Sequence, residues 1–459
     1  MPVPAVLRHR GDEQSPQHQV ECAVLAVGGV RARPEVEDWS RPAAYLEAIT
    51  TVRLLKLQET QPMLWERVMQ MDASPDHWPS SEVAAVFQHN VINFLRSVCK
   101  VEADEKLLHK LGGILVTNAF EARGRGPGSH VRCLFPDAGL LPHSCRPNVH
   151  HTVDREYVIY LRAAQPIKKG DTIFTSYTHC LAGTLTRREH IKYSKFFDCT
   201  CERCADPTEF GTFFSALKCC SCGKGTILPK DSLDAKSEWS CGECSYEVHP
   251  DNVRKLNMML LRELDSLDGH DFIDHEMFIR KYSNLLHPNH FLIFDTKHRL
   301  SQMYGRTPDY YLQDLTEVHL KRKVELCRDV LALAVKNAPG IARLTGLTYY
   351  ELHAPLMVLA QRQYGKGAIS RTEMKGLLDE ASESLQKAIG MLKYEPTDSL
   401  EGKIHAAALQ NVTELEDLQR TVEHLPETGR GHMTPEHIEQ LVGSFNAILE
   451  LMDDYQWRV

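Results

Sequence analysis

The chain has 459 residues, enough for two to four domains with substantial cores. Its 42% apolar and 25% charged residues are those of an ordinary globular protein, and a net charge of −8 removes bulk basic character as an argument for nucleic-acid binding. The first residues, MPVPAVLRHRGDEQ, lack an apolar core of signal-peptide length, and the run AVLAVGGV is too short to span a membrane.

A cytosolic or nuclear location is therefore expected. There the fourteen cysteines would be reduced, and clustered cysteines more often hold metal than form disulfides.

In chain order, the stretch from about residue 42 to 111 reads as helical. In TVRLLKLQETQPMLWERVM, apolar residues recur at threes and fours: Val52 and Leu55, then after a break Met63, Leu64 and Val68. WPSSEVAAVFQHNVINFLRSV opens with serines in N-cap position, and Val83, Val86, Phe87, Val91 and Leu95 predict one apolar face.

From about residue 112 to 177 the texture changes. EARGRGPGSH is expected to be a flexible loop. REYVIYLRA and TIFTSY read as short strands, with PIKKGD as the turn between them. From Asn252 onward helices dominate. Leu377, Leu378, Ala381, Leu385, Ala388, Ile389 and Leu392 form one stripe, opened by a capping box of Ser370 and Glu373. Val324, Cys327, Leu331, Ala334 and Val335 form another, and Thr434-Pro435 begins a last helix. Such helices joined by Gly/Pro turns suggest an antiparallel array of hairpins.

The cysteines are unevenly placed: eight of the fourteen fall between Cys199 and Cys244, and the last 215 residues hold only Cys327. Cys219-x2-Cys222 and Cys241-x2-Cys244, eighteen residues apart, fit a four-cysteine structural zinc site, with Cys220 as an extra. DCTCERC supplies three more thiols, Cys199, Cys201 and Cys204, which leave a fourth position to fill. Cys145 can fill it from the stiff turn LLPHSCRPN; Cys180 or a histidine is the alternative. His18 and Cys22 have the spacing of the last two ligands of a finger, with no cysteine upstream of Cys22.

HSCRPN, KKGDTIFTSY and CTCERC together resemble the C-terminal motifs and post-SET cysteines of SET-domain proteins. The helices before and after them resemble the SMYD branch, which joins SET and MYND domains, and HQVEC resembles the end of a MYND finger. The extra four-cysteine site followed by helices is similar to arthropod-type SMYD-like proteins. The resemblance implies an α+β fold: a small all-β SET core with a helical insertion, a zinc-bound post-SET segment, a four-cysteine zinc site and a C-terminal helical, TPR-like array. The expected boundaries are 1–22 for the finger remnant, 23–111 for the helical insertion, and 112–180 for the SET-C core. The post-SET segment follows at 181–206, the zinc ribbon at 207–250 and the helical domain at 251–459.

By the same resemblance the chain would be a protein-lysine N-methyltransferase using S-adenosyl-L-methionine. Tyr177 matches the catalytic tyrosine at the end of the lysine channel. Asn118, His143 and Phe197 match cofactor-pocket residues, and two Zn2+ ions would be held by Cys145, Cys199, Cys201 and Cys204 and by Cys219, Cys222, Cys241 and Cys244. The implied partners are a protein presenting a lysine and a protein bound by the helical array; DNA and membrane contacts are not expected, and a monomer is. The sequence departs from the family at three places. Pro142 stands where an asparagine is usual, which removes a backbone donor. Lys195 stands where an aromatic is common. No glycine-x-glycine turn of a SET-N segment precedes the finger remnant, so either a truncated enzyme or a zinc-stapled, catalytically inactive interaction scaffold is expected. A nucleic-acid-binding ribbon is the weakest reading, because KCCSCGKGTILPK has little aromatic interleaving.

Overall fold

In the computed structural model, residues 16–29, 44–123, 130–269, 271–307 and 310–427 are described. They divide into two compact units. The first comprises Met1–Pro142, Val153–Tyr160 and His190–Asp198; the second comprises His143–Thr152, Leu161–Glu189 and Cys199–Val459.

The first unit is mainly helical: α1 (Pro16–Val27), α2 (Ala44–Thr60), α3 (Pro62–Met69), α4 (Glu82–Phe87) and α5 (Glu105–Asn118). α2 buries two faces rather than one stripe. Ala48 and Val52 pack with Val91, Ile92, Leu95 and Leu108, while Leu54 packs with Val68, Met71, Leu111 and Ile114. Met63, expected in the stripe, is exposed, because Gln61 breaks the helix and Pro62 starts a new one in a different phase. Ser81 caps α4 as its sequence predicts, accepting the Ala84 N–H at 3.1 Å. Val86, however, is exposed. Beyond α4 the helix widens into π turns at Gln88–Ile92 and Phe94–Val98, which shift the buried face onto Val91, Ile92 and Leu95. After α5, strands β1 (Phe120–Arg123) and β2 (His130–Cys133) pair antiparallel, Phe120 opposite Cys133. The ends of the expected loop EARGRGPGSH are thus strand; residues 124–129 lie outside the described residues.

β3 (Val149–Val153) and β4 (Ile159–Ala163) form a two-stranded sheet. TIFTSY is not a strand. Asn148 takes the place of a strand partner: its carboxamide donates to Thr172 O at 2.9 Å and accepts the Phe174 N–H at 2.8 Å. The only ladder contact along the run is one parallel bridge between Thr175 and His143. After α6 (Thr184–Lys195) and the short α7 (Glu202–Ala205), strands β5 (Leu217–Lys218), β6 (Thr226–Pro229), β7 (Trp239–Cys241) and β8 (Glu247–Val248) form a meander in chain order.

Among the described residues seven helices follow: α8 (Pro250–Ser266), α9 (Phe272–Tyr282), α10 (Phe291–Met303), α11 (Glu317–Asn337), α12 (Arg343–Gly365), α13 (Arg371–Leu392) and α14 (Leu400–Glu423). From α10 onward each packs on the next, as expected for a hairpin array. Both predicted stripes enter the shared core except at Ala334, which is buried in a neighbouring apolar cluster, and Val335, which is exposed; the capping box of Ser370 and Glu373 is formed. The proposed helix at Thr434-Pro435 lies outside the described residues. The array is joined to the β3–β4 hairpin by partly buried polar contacts. Glu395 joins His150 Nε2 at 2.8 Å and Arg343 Nε at 2.7 Å, and Arg343 also donates to His151 O at 3.0 Å. Gly340, at φ +80°, lets its backbone meet Ala164 O where any Cβ would clash at 1.8 Å. Among the described residues no helix is long and apolar enough to cross a membrane.

Four histidines lie buried inside the second unit: His275, His290, His298 and His353. Burial holds His290 and His298 down to about 3 and His353 to about 4. The unfolded chain binds protons at these groups below about pH 6.5, where the folded chain refuses them, so stability is full above that pH and is lost as pH falls. Denaturant unfolding at pH 7.5 and 5.5 is expected to show a loss of about 1 kcal/mol per histidine. Equal stability at the two pH values would contradict these buried neutral rings.

Candidate metal centres and the HSC turn

The turn HSCRPN is placed by its neighbour segment rather than by a sheet. Ser144 N–H donates to Thr175 O at 2.9 Å, and the Asn148 and Val149 N–H groups share Phe174 O at 3.2 and 3.3 Å. This lays residues 172–177 along the turn and brings His143 to Tyr177. Tyr177 N–H donates to His143 Nδ1 at 2.9 Å, and the two rings lie 5.2 Å apart. A backbone N–H can only donate, so Nδ1 is the acceptor. Burial pushes His143 down to about 4, and the neutral ring carries its proton on Nε2. That nitrogen lies 3.3 Å from Cys145 Sγ. One imidazole therefore links the cysteine of the turn to the backbone of Tyr177.

Cys145 Sγ is 3.5 Å from Cys204 Sγ and 4.0 Å from Cys199 Sγ, and the sulfurs of Cys145, Cys199, Cys201 and Cys204 all lie within 4.8 Å of one another. The fourth position is thus filled by Cys145, not by Cys180 or a histidine. Cys219, Cys222, Cys241 and Cys244 form the second such group, without Cys220. Its two knuckles have the backbone donors that thiolates want: Gly225 N–H points to Cys222 Sγ and Glu243 N–H to Cys241 Sγ, both at 3.3 Å. A Cβ at Gly225 would sit 2.2 Å from Cys241 Sγ, so only glycine admits that sulfur. Four thiols whose sulfurs lie within 4.8 Å of one another are a donor set that suits Zn2+. No third group occurs among the described residues. Cys22 lies in α1, and the side chain of His18 is outside the described residues, so the finger remnant is not tested.

Sequence reasoning missed the ionic cluster beside the first site. Arg187, Arg203 and Glu209 are each at most 1% exposed. Glu209 Oε2 accepts Arg187 Nη1 at 2.8 Å and Arg203 Nε at 3.0 Å, and Oε1 accepts Ser215 Oγ at 2.6 Å. Burial alone would raise the Glu209 carboxyl, but the two guanidiniums outweigh it and hold it near 2. Glu209, Phe210 and Gly211 run in succession through the left-handed region, at φ 49°, 59° and 70°. Such a run costs about 1–2 kcal/mol per non-glycine residue. Asp206 offsets this by accepting the Thr208 N–H at 2.8 Å and the Phe210 N–H at 2.7 Å, and Arg146 of the turn stacks on the Phe210 ring at 4.9 Å. In sequence, TRREH and ERC look like solvated helix faces; nothing in their spacing marks their three arginines, Arg187, Arg188 and Arg203, as buried.

Asn118 and Phe197 belong to the first unit. The Asn118 amide donates to Asp72 O at 2.7 Å and to Ile114 O at 2.8 Å. Phe197 is 38% exposed. Lys195 donates to Val116 O at 3.1 Å and Thr117 O at 2.8 Å, closing the C-terminus of α5 where carbonyls lack partners.

A turn that carries a histidine and a cysteine, threaded against a segment ending in tyrosine and closed by three downstream cysteines, is the arrangement of a SET-domain protein. A SET-domain profile matches residues 33–178. The chain is 33% identical over 233 residues to SET domain-containing protein SmydA-8, isoform A, of Drosophila melanogaster, covering 50% of this chain and 49% of that one. It is 27% identical over 212 residues to N-lysine methyltransferase SMYD2-A of Danio rerio, covering 44% of each, and 27% identical over 200 residues to SMYD2 of Homo sapiens, covering 42% and 43%. The aligned region thus spans about half the length of these curated relatives. Residues 33–178 thus match a SET domain, and the similarities support a SET protein of SMYD type.

The two cysteine groups can be separated by substitution. Cys145→Ser and Cys222→Ser are each expected to lower bound zinc from about two equivalents to about one, measured by elemental analysis of the purified chain. A chain that keeps both metals after either change would contradict the assignment of that cysteine as a ligand.

Proposed function

We propose that the protein is a protein-lysine N-methyltransferase that uses S-adenosyl-L-methionine. The observation that carries the reading is the hold of His143 on Tyr177: the ring accepts the tyrosine's N–H at 2.9 Å and lies 3.3 Å from Cys145 Sγ. The SET-domain match and the relatives named N-lysine methyltransferases support it. The cofactor supplies an electrophilic methyl group on a sulfonium sulfur. The chain's part is to position and dehydrate the two reactants, so that a neutral lysine amine meets that methyl in line. In this reading the Tyr177 hydroxyl orients the amine, Phe197 packs on the adenine, and Asn118 and the backbone at His143 line the cofactor pocket. Zn2+ at both cysteine groups is structural. The substrate is a protein, histone or otherwise, and the helical array binds a protein partner. A monomer acting in cytosol or nucleus, without direct contact to DNA or membrane, completes the proposal.

The scaffold reading has an observation of its own. The Asn118 amide is hydrogen-bonded to the carbonyls of Asp72 and Ile114, so both of its N–H donors are spent within the first unit. Cofactor contact there would rest on its carbonyl oxygen. Titration calorimetry of S-adenosyl-L-methionine into the zinc-loaded chain separates the readings. The enzyme reading expects micromolar binding, retained in Tyr177→Phe, with methyl transfer to a lysine-bearing protein mixture falling roughly tenfold or more in that variant. A chain that holds both zincs and shows no binding is the scaffold.

A further inference from the structure

We infer that Arg187 and Arg203 are the outer shell of the metal site at Cys145, Cys199, Cys201 and Cys204, and that their positive charge is what retains the metal there. The inference rests on the reading of that site as a zinc centre.

Two fully buried guanidiniums share a single buried carboxylate, Glu209. One positive charge is therefore left over in a region closed to water, and buried charge is tolerated only when it is paired. The neutral partners of the cluster do not supply the missing negative charge. Arg187 Nη2 donates to Thr184 Oγ1 at 2.9 Å, and Arg203 Nη1 reaches the carbonyls of Cys145, at 3.4 Å, and Cys180. Arg187 Nε, also buried, meets no hydrogen-bond acceptor. What Arg187 does face is sulfur: its Nη2 lies 3.8 Å from Cys204 Sγ. A Zn2+ ion bound by four thiolates carries a net double negative charge, so the filled site supplies the anion that the arginines lack. The pairing acts in both directions. The arginines lower the cost of gathering four thiolates in a buried space, and the loaded site lowers the cost of burying two arginines.

The backbone shows that this arrangement is held on purpose. The left-handed turn through Glu209, Phe210 and Gly211 aims the carboxylate between the two arginines while Phe210 stacks on Arg146, next to Cys145. Among the described residues the ribbon site has no such cluster: Cys222 and Cys244 are only half-buried, and the sulfurs of Cys222 and Cys241 face backbone N–H groups. It is therefore an internal control within the same chain.

The test follows zinc release from the full-length, zinc-loaded chain into excess chelator, read by a metallochromic dye, with circular dichroism as a check on folding. Wild type is expected to release its zinc in two phases. In Arg187→Met and Arg203→Met the phase belonging to the turn site accelerates by about 10- to 100-fold, while the ribbon phase stays unchanged. Arg187→Lys, which keeps the charge, stays close to wild type. Glu209→Gln, which removes the competing negative charge, releases no faster than wild type, and this variant carries the test if the arginine variants do not fold. Release from Arg187→Met at the wild-type rate overturns the proposal. So does fast release from Glu209→Gln, or from Arg187→Lys as fast as from Arg187→Met, since either would mean that packing and not charge retains the metal. A wild-type chain that holds zinc at the ribbon alone overturns the zinc reading of the turn site itself, and with it this proposal.

Discussion

The meeting of Cys145 with Cys199, Cys201 and Cys204 is the constraint on which the second unit depends. A turn and a segment 54 residues later share one small volume of sulfur. The turn could not be pinned by a sheet, because the residues threaded along it, 172–177, make a single ladder bridge. Asn148 and the shared Phe174 carbonyl position that segment, and the cysteines fix the turn from the other side. His143 lies between these two fastenings and transmits the position of the sulfur cluster to the backbone of Tyr177.

Polar groups inside this unit work as joints rather than as sources of net stability. The arginine–glutamate cluster joins the cysteine site to the left-handed turn, and Glu395 joins the β3–β4 hairpin to the helical array through His150 and Arg343. Buried ion pairs roughly balance attraction against desolvation, so their effect is to fix one geometry among many apolar alternatives. Lys323, also fully buried, does the same inside the array. It donates to Ser301 O at 2.6 Å and Tyr304 O at 2.7 Å at the end of α10, and to Glu351 Oε2 at 2.7 Å.

Both metal groups were legible in sequence because thiol spacing is a geometric statement: two residues between cysteines make a knuckle whatever surrounds it. The fourth ligand of the turn site was only one of several candidates, since nothing local reports a contact across more than fifty residues. Helical stripes were legible wherever one face meets one core, as in α13. They failed at Met63 and Val86, where a proline restart and π turns change the phase of the helix. TIFTSY has strand composition, yet an asparagine side chain took the place of the neighbouring strand. Arg187 and Arg203 were invisible, because a buried arginine has the same letter as a solvated one. Tyr177 and His143 could be proposed from family resemblance alone; their hydrogen bond gives that proposal a physical form.

Zinc-edge X-ray absorption on the purified chain tests the central claim most directly. The account predicts about two zinc ions per chain, each with four sulfur neighbours at about 2.3 Å, and one such ion left in Cys145→Ser. Zinc bound with nitrogen or oxygen in place of one sulfur, or an unchanged spectrum and zinc content in Cys145→Ser, would show that Cys145 does not close the site. The turn would then need another fastening.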